Sequence, residues 1–138
     1  FISTLAVGIM QRALDEAVAY AKQRKQFGKR LIDFEMVQQM LADMAIKTEA
    51  ARVLVNNCMR QMDAGEMVRK DGAIVKTFVT DAMQEVVSNA VQVLGGYGYS
   101  EEYPVEKLMR DAKIFQIFEG SNQIQRMTIA KELDREYR

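Results

Sequence analysis

No histidine occurs among the 138 residues, and cysteine and proline occur once each, as Cys58 and Pro104. Without histidine, a Ser-His-Asp triad and an HExxH zinc site are both excluded. A single cysteine cannot close an internal disulfide, so no secreted scaffold is implied. One cysteine and no histidine leave only carboxylates for a metal, so no metal site is expected. Net charge is also absent: 19 Lys and Arg balance 19 Asp and Glu. A nucleic-acid binder needs a basic excess or stripe, so no nucleic-acid partner is expected. No apolar run is long enough to span a bilayer. The start, Phe1 to Gly8, is apolar but runs into Gln11, Arg12, Asp15 and Glu16, without the basic head or cleavage site of a signal peptide. An intracellular compartment is the expectation. Any acid–base chemistry falls to a carboxylate, Lys or Tyr, or to a cofactor.

What the sequence does contain is helix. Apolar residues make up 49% of the chain, enough for a core in a single domain over 1–138. Ala6, Met10, Ala13, Leu14, Ala17, Val18 and Ala21 recur at three- and four-residue spacing and predict a first helix over 2–23. Asp33 can cap a second helix with Glu35 in its first turn. Its stripe is Val37, Met40, Leu41, Met44, Thr48, Ala51, Val55, Cys58 and Met62, with Gly65 as its stop. A third helix carries Ile74, Phe78, Ala82, Val86, Ala90 and Val93 and stops at Gly95–Gly96. A shorter one begins at Pro104, and a last one near Ser121 carries Ile124, Met127, Ala130 and Leu133. Strand signals are absent. The fold class predicted is all-α, an antiparallel four-helix bundle. The ten methionines read as core filling, and Cys58 as buried and inert. Glu101–Glu102 reads as a solvated loop.

Three loops could carry chemistry. Arg24-Lys25-Gln26-Phe27-Gly28-Lys29-Arg30 sets four cations beside a phenylalanine. It could grip a phosphate with Phe27 over a flat ring, or simply be a solvated helix end whose cations complement the dipole. Local features favour the helix end. Gln92-Val93-Leu94-Gly95-Gly96-Tyr97-Gly98-Tyr99 admits close approach of a ligand to the backbone, or is a helix stop and a tight turn. It is neither of the common nucleotide fingerprints. In Ile117-Phe118-Glu119-Gly120-Ser121-Asn122-Gln123, Glu119 follows Ile114, Phe115, Ile117 and Phe118. Apolar neighbours would desolvate it and raise its pKa toward that of a general base; the alternative is that Glu119 caps the last helix.

Together these stretches resemble the C-terminal domain of the acyl-CoA dehydrogenases. The matching residues are Gln11-Arg12-Ala13-Leu14-Asp15-Glu16-Ala17, Arg24 to Gly28, Leu41-Ala42-Asp43-Met44-Ala45 and Gln92 to Gly98. The run from Glu102-Tyr103-Pro104-Val105-Glu106-Lys107 through Phe118-Glu119-Gly120-Ser121 to Gln123-Ile124-Gln125-Arg126 completes the match, in order along nearly the whole chain.

The resemblance implies a four-helix bundle and a chemistry of fatty acid β-oxidation. The family converts a saturated acyl-CoA to the trans-2-enoyl-CoA: a carboxylate takes the pro-R α-proton, and the β-hydrogen leaves as hydride to FAD. Phe118-Glu119-Gly120-Ser121 stands where the family commonly has Tyr-Glu-Gly-Thr, so Glu119 takes the role of the base. Phe118 and Gly120 fall beside the substrate. Arg24, Gln26 and Phe27, with Gln92, Gly95 and Gly96, match contacts to FAD of a neighbouring subunit. Ser121 and Gln123 match contacts to the subunit's own FAD. The resemblance thus implies a homo-oligomer, tetramer or dimer, with electron transfer flavoprotein as electron acceptor. It implies the cytoplasm for a bacterial chain and the mitochondrial matrix for a eukaryotic one. The family's N-terminal helical domain, its middle β-domain and an Arg preceding the first helix have no counterpart in this sequence. The expectation is a domain of a larger enzyme that does not turn over substrate alone. An acyl-CoA oxidase of the same superfamily and a non-catalytic oligomerisation module are the alternatives.

Overall fold

The computed structural model describes residues 2–137. Three long helices, α1 (Ile2–Gln23), α2 (Glu35–Asp63) and α3 (Arg69–Leu94), precede two shorter ones, α4 (Val105–Ile114) and α5 (Asn122–Glu136). The all-α class is as expected, with one small exception. The first loop closes as a two-residue hairpin, β1 (Lys25–Gln26) against β2 (Lys29–Arg30). Phe27 and Gly28 turn it, both at positive φ (52° and 78°), as a two-residue hairpin loop demands. Strands this short leave no alternation to read.

Helix α3 is the centre of the bundle and packs on the other four. Its direction relative to each follows from the side chains that meet. A short turn joins the end of α2 to the start of α3 while Lys47 of α2 pairs with Glu85, and Lys70 and Asp81 of α3 pair with Glu136 and Arg126 of α5, so α2 and α5 run antiparallel to α3. Helix α1 is antiparallel to α2, since Thr4 reaches Met59 and Gln11 reaches Arg52. It therefore runs parallel to α3. Ala6, Ala13, Ala17 and Ala21 of α1 are fully buried with Met10, a small-residue face that brings the helices close. Met44 of α2 and Val79, Met83, Val86 and Val87 of α3 fill the centre of the core.

Five expectations need correction. Methionine fills the core at Met10, Met44 and Met83 but not at Met36, Met67 and Met127, which are 81%, 93% and 55% exposed. Asp33 does not cap α2: the Arg30 guanidinium holds it by two hydrogen bonds of 2.9 and 3.0 Å, and Phe34 occupies the cap position without a side-chain bond. Met62, the last member of the α2 stripe, is exposed beyond the core. Ile74 and Phe78 lie toward solvent, because α3 buries Val75, Val79 and Met83 instead. Ile124, Met127 and Leu133 of α5 are also exposed. That helix docks on α3 through polar groups. The other boundaries hold. Helix α2 ends in a pair of bonds, Gly65 N–H to the Met62 carbonyl and Glu66 N–H to the Gln61 carbonyl, the Schellman pattern. The Ser121 hydroxyl accepts from the Ile124 N–H at 3.4 Å and starts α5.

Candidate active site and cofactor pocket

The three loops fall into two places. One pocket lies where the ends of α1 and α3 meet. Arg24 and Gln26 of the hairpin line it together with Tyr20, Gly95, Gly96 and Tyr97. The Arg24 guanidinium sits 5.7 Å from the centre of the Tyr97 ring, a cation–π distance. Tyr97 in turn packs on Tyr103 with ring centroids 5.5 Å apart. Burial pushes the Tyr20 hydroxyl above its usual value, against the pull of Arg24. A side chain at Gly95 or Gly96 would meet nothing within 4 Å, so their backbone faces open space. Gly98 differs: a Cβ there would lie 2.6 Å from the Val91 carbonyl oxygen. That close approach folds the glycine turn back onto α3.

Two residues of the same groups stand apart from this pocket's wall. Phe27 is at the hairpin tip, 94% exposed, its ring 6.4 Å from that of Phe34. Gln92 is exposed on the last turn of α3, its carbonyl accepting from the Gly95 N–H. The hairpin's cations are partly committed: Arg30 to Asp33, and Lys29, whose Nζ lies 4.2 Å from the Phe34 ring centre.

The second pocket lies at the other end of the bundle. Phe118 and Glu119 line it with Lys76, Gln125, Leu5 and Met59. About 30 Å of helix separates the two pockets along α1 and α3, at ~1.5 Å per residue. Ser121 and Gln123 are on the first turn of α5, next to Glu119 in the chain but far from the first pocket.

Glu119 adopts the left-handed region, φ 56°, in common among the described non-glycine residues only with Phe27. Its side chain is exposed and makes no hydrogen bond or ion pair among the described residues. It therefore does not cap α5; Ser121 does. The apolar surround expected for Glu119 is not formed by this chain. Phe115 is buried, but Ile114, Ile117 and Phe118 are 46%, 55% and 38% exposed. The run of bulky residues spans the end of α4 and a turn, so its side chains diverge instead of converging on the carboxylate.

A polar network beneath Glu119 was not legible in the sequence. Lys76 of α3 is only 4% exposed, and it is the one charged residue in the buried set of the described residues. Its Nζ donates to the Gly120 carbonyl at 2.9 Å and to Asn122 Oδ1 at 2.6 Å. Burial lowers its pKa from the usual lysine value, with Asp81 opposing. Asn122 Nδ2 donates to Thr80 Oγ1 (2.8 Å) and Asp81 Oδ1 (2.7 Å). The Asn122 amide has one consistent orientation, because a carboxylate cannot donate and an ammonium cannot accept. A lysine between Val75 and Val79, on a helix otherwise rich in apolar residues, was the available signal.

Cys58 is buried as expected; burial pushes its thiol up, and Asp71 adds to the rise. Glu101 and Glu102 are exposed. Among the described residues no cluster of three metal-ligating side chains occurs, and no helix is long and apolar enough to cross a membrane.

The family described as "Acyl-CoA dehydrogenase, C-terminal domain" matches residues 2–133. The chain belongs to the acyl-CoA dehydrogenase family. Its curated relatives include the probable acyl-CoA dehydrogenase FadE25 of Mycobacterium tuberculosis, 50% identical over 133 residues, and the caffeyl-CoA reductase-Etf complex subunit CarC of Acetobacterium woodii, 45% identical over 129. Those matches cover 96% and 94% of this chain and 34% of each relative. The structure of butyryl-CoA dehydrogenase from Megasphaera elsdenii superposes with a TM-score of 0.94 at 47% identity, over 96% of this chain and 34% of that one. This chain thus spans about a third of the length of the acyl-CoA dehydrogenases it matches.

Proposed function

We propose that this chain is the C-terminal domain of an FAD-dependent acyl-CoA dehydrogenase in which Glu119 is the base. The carrying observation is the Glu119 carboxylate itself: unpaired, set in left-handed backbone, on the wall of a pocket it shares with Phe118, Leu5 and Met59. Any acid–base group this chain contributes is a carboxylate, Lys or Tyr, and Glu119 is an unpaired carboxylate beside a pocket. A thioester α-proton is weakly acidic, so its base must stand ready at hydrogen-bond reach.

The first pocket fits a flavin nucleotide. Arg24 and Gln26 offer donors to an anionic group, and the open backbone of Gly95 and Gly96 admits a close neighbour. Gln92 and Phe27, outside the pocket wall, would meet a cofactor that extends beyond it, and Ser121 and Gln123 would serve the site beside Glu119. FAD, when bound, supplies the acceptor for the β-hydrogen. Glu119 takes the α-proton onto a carboxylate oxygen. Phe118 and Gly120 shape the space beside the reacting carbons. The separation of the two pockets supports an assembly of copies, in which one chain's Arg24 pocket serves a neighbour's flavin and its Glu119 acts at its own. In that reading the missing apolar surround of Glu119 comes from the bound acyl chain, the flavin and the rest of the enzyme. Electron transfer flavoprotein is the proposed acceptor; the name of the Acetobacterium relative supports it.

The test is flavin reduction by acyl-CoA in the complete enzyme. Glu119→Gln is expected to abolish it while acyl-CoA still binds. Undiminished reduction in Glu119→Gln would sink the assignment. The chain by itself is expected to show no turnover with acyl-CoA and a dye acceptor.

A further inference from the structure

Left-handed backbone at a glutamate is disfavoured, because its Cβ crowds the carbonyl that follows. It persists only where the surroundings over-determine it. Here the surroundings act on the two carbonyls that flank the turn. Gln125 Nε2, from the first turns of α5, lies 3.1 Å from the Glu119 carbonyl and 3.3 Å from that of Gly120. Lys76 Nζ, from α3, donates to the same Gly120 carbonyl at 2.9 Å. The Gly120 carbonyl is thus clamped from two helices. Lys76 is in turn fixed by Asn122 Oδ1, and Asn122 by Thr80 and Asp81. Lys76 and Gln125 also line the pocket that Glu119 faces.

We propose that Lys76 and Gln125 are positioning residues that hold the Glu119–Gly120 turn so that the Glu119 carboxylate meets the substrate α-carbon. Neither touches the reacting atoms in this role; each acts through a main-chain carbonyl. The proposal rests on the reading of Glu119 as the base. Losing either donor lets the turn relax toward ordinary backbone, and the carboxylate moves with it. Geometry of this kind matters steeply, since small displacements of a base from its proton slow transfer strongly.

The experiment uses the complete, FAD-loaded enzyme and a saturated acyl-CoA. Wild type, Glu119→Gln, Lys76→Met and Gln125→Ala are compared by stopped-flow flavin reduction and by exchange of the substrate α-hydrogen with deuterated solvent. Lys76→Met is expected to slow reduction at saturating acyl-CoA at least tenfold and Gln125→Ala at least threefold, with KM within twofold of wild type. The α-hydrogen exchange is expected to fall by the same factors, with FAD content unchanged. A purely structural lysine would alter melting or FAD content and leave exchange per bound flavin intact. Reduction and exchange within 1.5-fold of wild type in both variants, while Glu119→Gln is inactive, overturns the proposal and leaves the base assignment standing. An active Glu119→Gln instead removes the base assignment itself, and the proposal with it. If Lys76→Met does not fold, Gln125→Ala decides: its side chain is partly exposed and its hydrogen bonds go to these two carbonyls, so an unchanged rate there overturns the proposal.

Discussion

Arg126 of α5 meets Asp81 of α3 in a 2.6 Å ion pair, and Asp81 also accepts from Asn122 and Gln116. One carboxylate therefore ties α3 to the end of α4 and the start of α5. Burial acts to raise the Asp81 carboxyl, but the hydrogen bonds from Arg126, Asn122 and Gln116 outweigh it and hold it below the usual range. A carboxyl lowered on folding contributes stability that is complete above its unfolded value, about 3.9, and fades as pH falls through the folded one. Asp81→Ala is expected to cost about 1–2 kcal/mol at pH 7, for lost hydrogen bonds on a partly exposed group. The gap from wild type should narrow below about pH 4. Urea unfolding at pH 7 and pH 3 measures both; an equal gap at the two pH values would contradict the account.

The glycine turn after α3 offers a paired comparison. Gly98→Ala would put a methyl 2.6 Å from the Val91 carbonyl oxygen, against backbone that cannot yield cheaply. A loss of roughly 1–3 kcal/mol is expected, as for other overpacked sites. Gly96→Ala meets nothing within 4 Å, and its melting temperature should stay near wild type. If the open backbone admits the flavin, Gly96→Ala should nonetheless lower FAD retention in the complete enzyme. Melting curves and flavin absorbance read the two effects separately.

Phe27 predicts opposite changes in stability and cofactor binding. It is exposed at φ 52°, where phenylalanine is strained and asparagine is tolerated. Phe27→Asn is expected to raise stability by about 0.5–1 kcal/mol. Flavin retention should fall if the ring covers a cofactor face. A variant that loses stability would mean that the Phe27–Phe34 contact outweighs the strain.

At the centre of the bundle, Met83 is fully buried on α3. Met83→Ala should cost about 2–5 kcal/mol, with the spread set by how far the cavity collapses. Exposed Ile124→Ala should change the stability of a single chain by no more than about 0.5 kcal/mol. A concentration-dependent melting temperature lost in Ile124→Ala would mean instead that copies pack on that face.

Legibility followed how each helix packs. Helix α1 buries one face, and its stripe from Ala6 to Ala21 was readable residue by residue. Helix α3 is surrounded, so no single stripe describes it, and Ile74 and Phe78 were misplaced. Helix α5 docks through Asn122 and Arg126, so the apolar period seen in its sequence marks its outer face. The loops carrying Arg24, Gly95, Gly96 and Glu119 were readable as loops because their glycines and cations are local features, and they fall beside two pockets. Lys76 was not, because its partners lie 44 and 46 residues away and only the fold brings them together. The expected burial of Glu119 failed for a related reason: proximity in sequence across a helix end does not give proximity of side chains.

The parallel course of α1 and α3 has a consequence for how such a chain can diverge. Both helices reach from one pocket to the other, so together they act as a rigid spacer. Inserting or deleting residues within either rotates its far end by about 100° per residue and shifts it by ~1.5 Å, spoiling one pocket whichever end is held fixed. A change of length is therefore tolerated in the exposed turns between helices far more readily than inside α1 or α3.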